Sequence, residues 1–87
     1  MRYNLQEVQT MKHRWIRDDI IIDFDIPGKA FKNLLKEAGE LDLAGNTEFF
    51  CVAEQIDVLA KNSYGAGKLT LKQWELLCEK YPINGQR

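Results

Sequence analysis

One histidine, two cysteines and thirteen acidic residues are the side chains most able to do chemistry, and their spacing limits what that chemistry can be. His13 lies in the basic stretch "MKHRWIR" (11–17), with no Cys, Ser or carboxylate at a spacing that recruits it for a triad. A zinc site built on it would need both cysteines and an acid as well. Cys51 and Cys78 are far apart and lack the close spacing of a redox or zinc motif. Each falls on or near an apolar helical stripe, so both read as buried free thiols. "GAGKLT" (65–70) has the flavour of a phosphate loop but fails its requirements: Leu69 replaces the Ser or Thr after Gly-Lys, and Asn62 replaces the leading glycine. Read as a calcium loop, the same stretch has Tyr64, Ala66 and Gln73 where oxygen donors and a bidentate Glu are needed. It is therefore a plain turn between helices. Asp18, Asp19, Asp23 and Asp25 place four carboxylates in eight residues. They read either as a metal site or acidic contact face, or as a solvated strand edge charged against aggregation. The expectation is a non-enzyme with no cofactor and no metal.

These groups must be positioned by a single domain, since the chain has 87 residues. Hydrophobic content of 45% beside 29% charged residues is that of an ordinary folded domain and excludes a disordered chain. A chain this short buries a modest fraction of its surface, so oligomerisation would help it. No apolar run is long enough to span a bilayer, and "MRYNLQEVQTMKHRW" lacks the apolar core of a secretory signal. The expected compartment is the cytoplasm, unless a targeting segment is missing, with no membrane partner. Net charge is −1, with a pI near 5.8, unlike the basic balance of most nucleic-acid binders. Local charge differs from the total. Lys12, His13, Arg14 and Arg17 form a basic cluster, whereas residues 37–57 carry Glu37, Glu40, Asp42, Glu48, Glu54 and Asp57 against no Lys or Arg.

Five elements are predicted. Leu5, Val8, Met11 or Lys12, and Trp15 recur at helical spacing over 4–17, with Asn4 and Glu7 as a capping pair, the alternative being extended chain over 8–17. Residues 20–26 alternate: Ile20, Ile22, Phe24 and Ile26 on one side, Ile21, Asp23 and Asp25 on the other. That period of two predicts a short strand closed by Pro27, the alternative being an irregular loop packed on the core. A helix over 28–38 enters through Pro27, buries Ala30, Phe31, Leu34, Leu35 and Ala38, and stops at Gly39. Asn46 or Thr47 caps a helix over 46–61 with the stripe Phe49, Val52, Ala53, Ile56, Leu59 and Ala60. After a glycine-bearing turn, Thr70 and Gln73 open a helix over 70–81 as a capping box, with Leu71, Trp74, Leu77, Cys78 and Tyr81 along one side.

A lone strand needs backbone partners, and the simplest is the same strand from a second copy, antiparallel across a two-fold axis. Strand, proline, helix, connector and a helix opened by "NTE" is an order that resembles the ribbon-helix-helix family of Arc-like and methionine-repressor-like regulators. The likeness is carried by "IIIDFDIPGKAFKNLLKEAGELDLAGNTEFFCVAEQIDVLAK" and covers residues 20–60, about half the chain. It implies a homodimer in which Ile20, Ile22, Phe24 and Ile26 pack inward. Ile21, Asp23 and Asp25 would face the DNA major groove, and the backbone at Asn46, Thr47 and Glu48 would hold a phosphate. Lys12, Arg14 and Arg17 would flank the groove. Asp23 and Asp25 depart from the family's basic or neutral polar readers: they can accept from cytosine N4 but repel phosphate.

The expected fold is thus mainly α with one short strand, a ribbon-helix-helix-like dimer with added N-terminal and C-terminal helices, against an all-α four-helix bundle in which 19–27 cross as a loop. The expected function is a DNA-binding regulator. The alternative is a protein-interaction module of antitoxin, immunity or phage-inhibitor type, presenting Asp18, Asp19, Asp23 and Asp25 to a basic protein partner.

Overall fold

The computed structural model describes residues 13–83, whose regular elements are all α-helices. Three helices, α1 (Lys29–Leu43), α2 (Phe49–Gly65) and α3 (Leu71–Lys80), follow a non-helical arm, residues 13–28. α2 lies between the other two and packs against both. Its stripe Phe49, Val52, Ala53, Ile56 and Ala60 is buried, as the 3.6-residue period requires. Phe31 and Ala38 of α1, Leu77 of α3, and Ile16, Leu69 and Tyr81 complete the core.

Both inter-helix turns end their helices in the same way. After α1, the Gly45 N–H donates to the Asp42 carbonyl and the Asn46 N–H to the Leu41 carbonyl, both at 2.9 Å. After α2, Gly67 donates to Tyr64 at 3.0 Å and Lys68 to Ser63 at 2.8 Å. These paired bonds satisfy the last carbonyls in a Schellman arrangement, which needs a left-handed residue just past the helix. Gly45 and Gly67 supply it, with φ of 68° and 79°. The capping box at Thr70 and Gln73 forms as the sequence predicts, with both reciprocal bonds present.

Several expectations need correction. No strand is formed among the described residues, and the chain bends at Phe24. The period of two survives as alternating burial: Ile20, Ile22, Phe24 and Ile26 are half-buried, whereas Ile21, Asp23 and Asp25 are exposed. Alternation reports only which side chains face the core, not whether a ladder pairs the backbone. Here the chain's own helices cover the apolar side. Residues 13–17 of the helix expected over 4–17 are bends and irregular chain; the rest of that expectation, with Leu5, Val8 and Lys12, lies outside the described residues. α1 does not stop at Gly39 but runs to Leu43, because Leu41 packs on the core and Asp42 is anchored in it. Pro27 precedes Gly28, the N-cap of α1, rather than opening the helix itself. The helix expected over 46–61 begins at Phe49 and runs to Gly65, so the turn is shorter than "KNSYGAGK" implied. Cys51 is exposed and Cys78 only half-buried, so neither is the buried thiol expected of it; both are free.

Candidate interaction surfaces

Asp42 organises the arm. Its side chain is fully buried in the second-last position of α1, where the negative end of the helix dipole disfavours a carboxylate. Three consecutive backbone N–H groups converge on it. Arg14 donates to Oδ1 at 2.5 Å, and Trp15 and Ile16 donate to Oδ2 at 2.9 and 2.8 Å. Such a concave run of N–H groups is a natural seat for an anion, and here the chain supplies its own. Trp15 is thereby laid on Phe49, with ring centroids 5.2 Å apart, and edge-on to Phe50 at 4.8 Å.

Lys80, in the last turn of α3, holds the other end of the arm. Its ammonium donates to the carbonyls of Arg17 and Ile20 at 3.1 and 2.8 Å, and the Arg17 N–H donates to the Lys80 carbonyl at 3.0 Å. Neither Asp42 nor Lys80 was legible as an anchor. The one signal in sequence is a carboxylate set between Leu41 and Leu43, on a helix whose apolar side it would otherwise interrupt.

Two members of the basic cluster, His13 and Arg17, are paired within the chain. Arg17 makes a forked pair with Asp19, at 3.1 and 2.8 Å. The hydrogen bond and charge of Asp19 raise the Arg17 pKa, and the bond from Arg17 lowers that of Asp19. His13 does find a carboxylate, contrary to the sequence reading: Nδ1 lies 2.8 Å from Asp18 Oδ1. Burial pushes the Asp18 carboxyl up, but the hydrogen bond and charge of His13 together carry it below its ordinary value. The four aspartates therefore divide. Asp18 and Asp19 are paired, while Asp23 and Asp25 stay exposed beside Ile21, which is 70% exposed. Among the described residues no cluster of three or more His, Cys, Asp or Glu could hold a metal ion.

Arg14 is brought to the start of α2. A methyl group placed on Gly45 would come within 3.2 Å of the Arg14 guanidinium, so that side chain lies over the turn leading to Asn46 and Thr47. The phosphate seat implied there is partly filled. The Asn46 N–H donates to Leu41, and the Glu48 N–H donates to Asn46 Oδ1 at 2.9 Å.

Two apolar depressions stand out among the described residues. A groove of about 700 Å³ lies between α1 and α2, with Ala30, Leu34, Cys51, Val58 and Leu59 in its walls and Glu54 among them. Periodicity assigned Ala30 and Leu34 to the core, yet Ala30 is exposed and Leu34 half-buried. On α3, Leu71, Trp74 and Cys78 line a second depression. There Asp57 Oδ1 accepts from Trp74 Nε1 and from the Cys78 thiol, both at 3.0 Å. Burial, then the hydrogen bond and charge of Asp57, push the Cys78 thiol up to about 12. A thiol held so firmly protonated is a poor nucleophile.

No family model, curated protein or solved structure matches this chain. No helix among the described residues is long and apolar enough to cross a membrane.

Proposed function

We propose that the chain is a non-enzymatic protein-interaction module whose acidic surface binds a basic protein partner. The observation that carries this reading is the group of exposed carboxylates Glu37, Glu40, Glu48 and Glu54, in a stretch that holds no Lys or Arg. His13 and Arg17 are matched to Asp18 and Asp19, whereas Asp23, Asp25, Glu37, Glu40, Glu48 and Glu54 are exposed and outside both salt bridges of the described residues. Four of these carboxylates lie towards the turn of the α1–α2 hairpin, in a stretch without Lys or Arg, and Arg14 is the cation of the arm laid near them. Opposed charge of this kind speeds association with a basic partner and rejects acidic ones. Two free cysteines suit the reducing cytoplasm.

The second reading is a DNA-binding homodimer in which residues 20–26 form an intermolecular ribbon. It is favoured by Arg14 lying against Gly45, in the turn that leads to Asn46 and Thr47. To form the ribbon, the bend at Phe24 must straighten, and Asp23 and Asp25 must approach a polyanion. The two readings separate in light scattering at low salt, with and without random duplex DNA, run beside titration of a lysine-rich peptide. A particle of one chain mass that ignores the duplex and binds the peptide, less tightly as salt rises, supports the interaction module. A dimer whose mass shifts with duplex at low salt overturns it in favour of the regulator.

A further inference from the structure

The arm is fastened at its far end and only tethered at its near end. Among the described residues, every hydrogen bond that joins it to the helices falls within residues 14–20, at Asp42 and at Lys80. Residues 21–27 make none with a described residue; Ile22, Phe24 and Ile26 pack on the core instead. Fully extended, that tether reaches roughly 23–25 Å, about two helix diameters.

The tether is held in a shape its sequence resists. Ile20, Ile21 and Ile22 favour extended chain, and Pro27 pushes the residue before it the same way. Yet the chain bends at Phe24. At the base of the tether Gly28 takes φ of 93° and ψ of 143°, a conformation that side chains rarely allow. A methyl group placed there would meet nothing within 4 Å, so closing the arm demands glycine and crowding does not.

The fastening reads main chain. Asp42 takes three N–H groups, Lys80 binds the carbonyls of Arg17 and Ile20, and Trp15 adds a side-chain fit against Phe49 and Phe50. Residues 14–20 are the segment shown to fit this seat, and a second copy of the chain carries the same segment. We propose that two copies exchange arms. Each arm, straightened at Phe24 and swung about Gly28, fastens to Asp42 and Lys80 of the other copy. Every bond of the closed arm is remade between the copies, and the tether relaxes. What opposes exchange is the local concentration of the chain's own arm, in the millimolar range for a short flexible tether. The exchange differs from a ribbon, because each arm meets the other copy's helices and not the other arm. It goes beyond the interaction module and uses none of its exposed carboxylates.

The test uses equal amounts of isotope-labelled and unlabelled full-length chain, unfolded in urea and refolded together. One sample is refolded at about 1 mM and another about a thousandfold more dilute. Light scattering gives the mass, and isotope-filtered NOE spectra show which chain each contact joins. The concentrated sample is expected to hold a dimer that the dilute one lacks. In that dimer the Trp15–Phe49 contact, with ring centroids 5.2 Å apart in the closed chain, should cross from labelled to unlabelled chains. Gly28→Ala penalises the closed hinge and should raise the ratio of dimer to monomer roughly tenfold or more. An unchanged ratio overturns the strained hinge on which the exchange rests. A wild-type chain that keeps one chain mass at the higher concentration overturns the exchange, whatever becomes of the variant. So does a dimer whose Trp15–Phe49 contact stays within each chain, which is the outcome for arms paired as a ribbon.

Discussion

Removing the Asp42 carboxylate should loosen the whole arm and leave the domain barely folded. Three backbone N–H groups end on its two oxygens, at 2.5, 2.9 and 2.8 Å. A hydrogen bond to a charged acceptor contributes about 1.5–3 kcal/mol, and taking a carboxylate out of water costs several kcal/mol in return. Asp42→Ala cancels both and leaves three donors without acceptors, of which Ile16 is buried and Arg14 and Trp15 partly so. Water can reach the partly buried pair. A net loss of about 3–5 kcal/mol follows, within the range for breaking a buried polar network. In a domain of this size that lowers Tm by roughly 15–30 °C. Asp42→Asn keeps an oxygen for two of the donors but turns an amide N–H₂ towards the third, and should cost about 2–3 kcal/mol. Urea unfolding followed by tryptophan fluorescence measures both, since Trp15 stacks on Phe49. Native-state hydrogen exchange then locates the effect: the amides of 14–16 should lose protection well before those of α2. An Asp42→Ala protein within about 1 kcal/mol of wild type would refute the view that this side chain holds the arm.

Three further outcomes follow from the same contacts. Lys80→Met keeps the aliphatic stem but removes two bonds to the Arg17 and Ile20 carbonyls; it should cost about 1–2 kcal/mol, whereas Lys72→Met, on an exposed position of the same helix, should be silent in the same urea titration. At pH 8, maleimide should modify one thiol quickly, and peptide mapping should find it at Cys51; equal labelling of Cys78 would show that its bond to Asp57 does not persist. Stability should fall as pH rises above about 9. Cys78 is raised from an ordinary 9.0 to about 12, and burial and then Asp18 raise Tyr81 above 10.0. For both groups the folded state binds the proton more tightly, so their contribution is complete below the unfolded pKa and lost through the folded one. A urea midpoint that stays flat from pH 8 to 11 would contradict this, and Cys78→Ala should make the fall shallower.

Local periodicity and local capping were legible in the sequence because each depends on a few neighbouring residues. The buried stripe of α2, the Thr70–Gln73 box and the one-sided burial of residues 20–26 all follow from side-chain direction along a regular chain. Helix ends were less legible. Gly39 and Gly45 both satisfy the local rule for a helix stop, and the choice depends on Leu41 and Asp42 having a core and an arm to meet. The strand failed for the same kind of reason: alternation determines which side is apolar, but a ladder needs a second backbone, and the chain's own helices took the apolar side first.

The candidate sites belong almost wholly to the tertiary structure. Composition and order pointed to a mainly helical chain with segregated charge. They could not determine which charges remain available, because Asp18, Asp19, Asp42 and Asp57 are alike in sequence and differ only in the donors placed opposite them. Nor could they determine that Ala30, Leu34, Cys51 and Val58 would line a groove rather than the core. An apolar side chain is buried only if another element is there to cover it, and the third helix of this chain lies along a different face of α2.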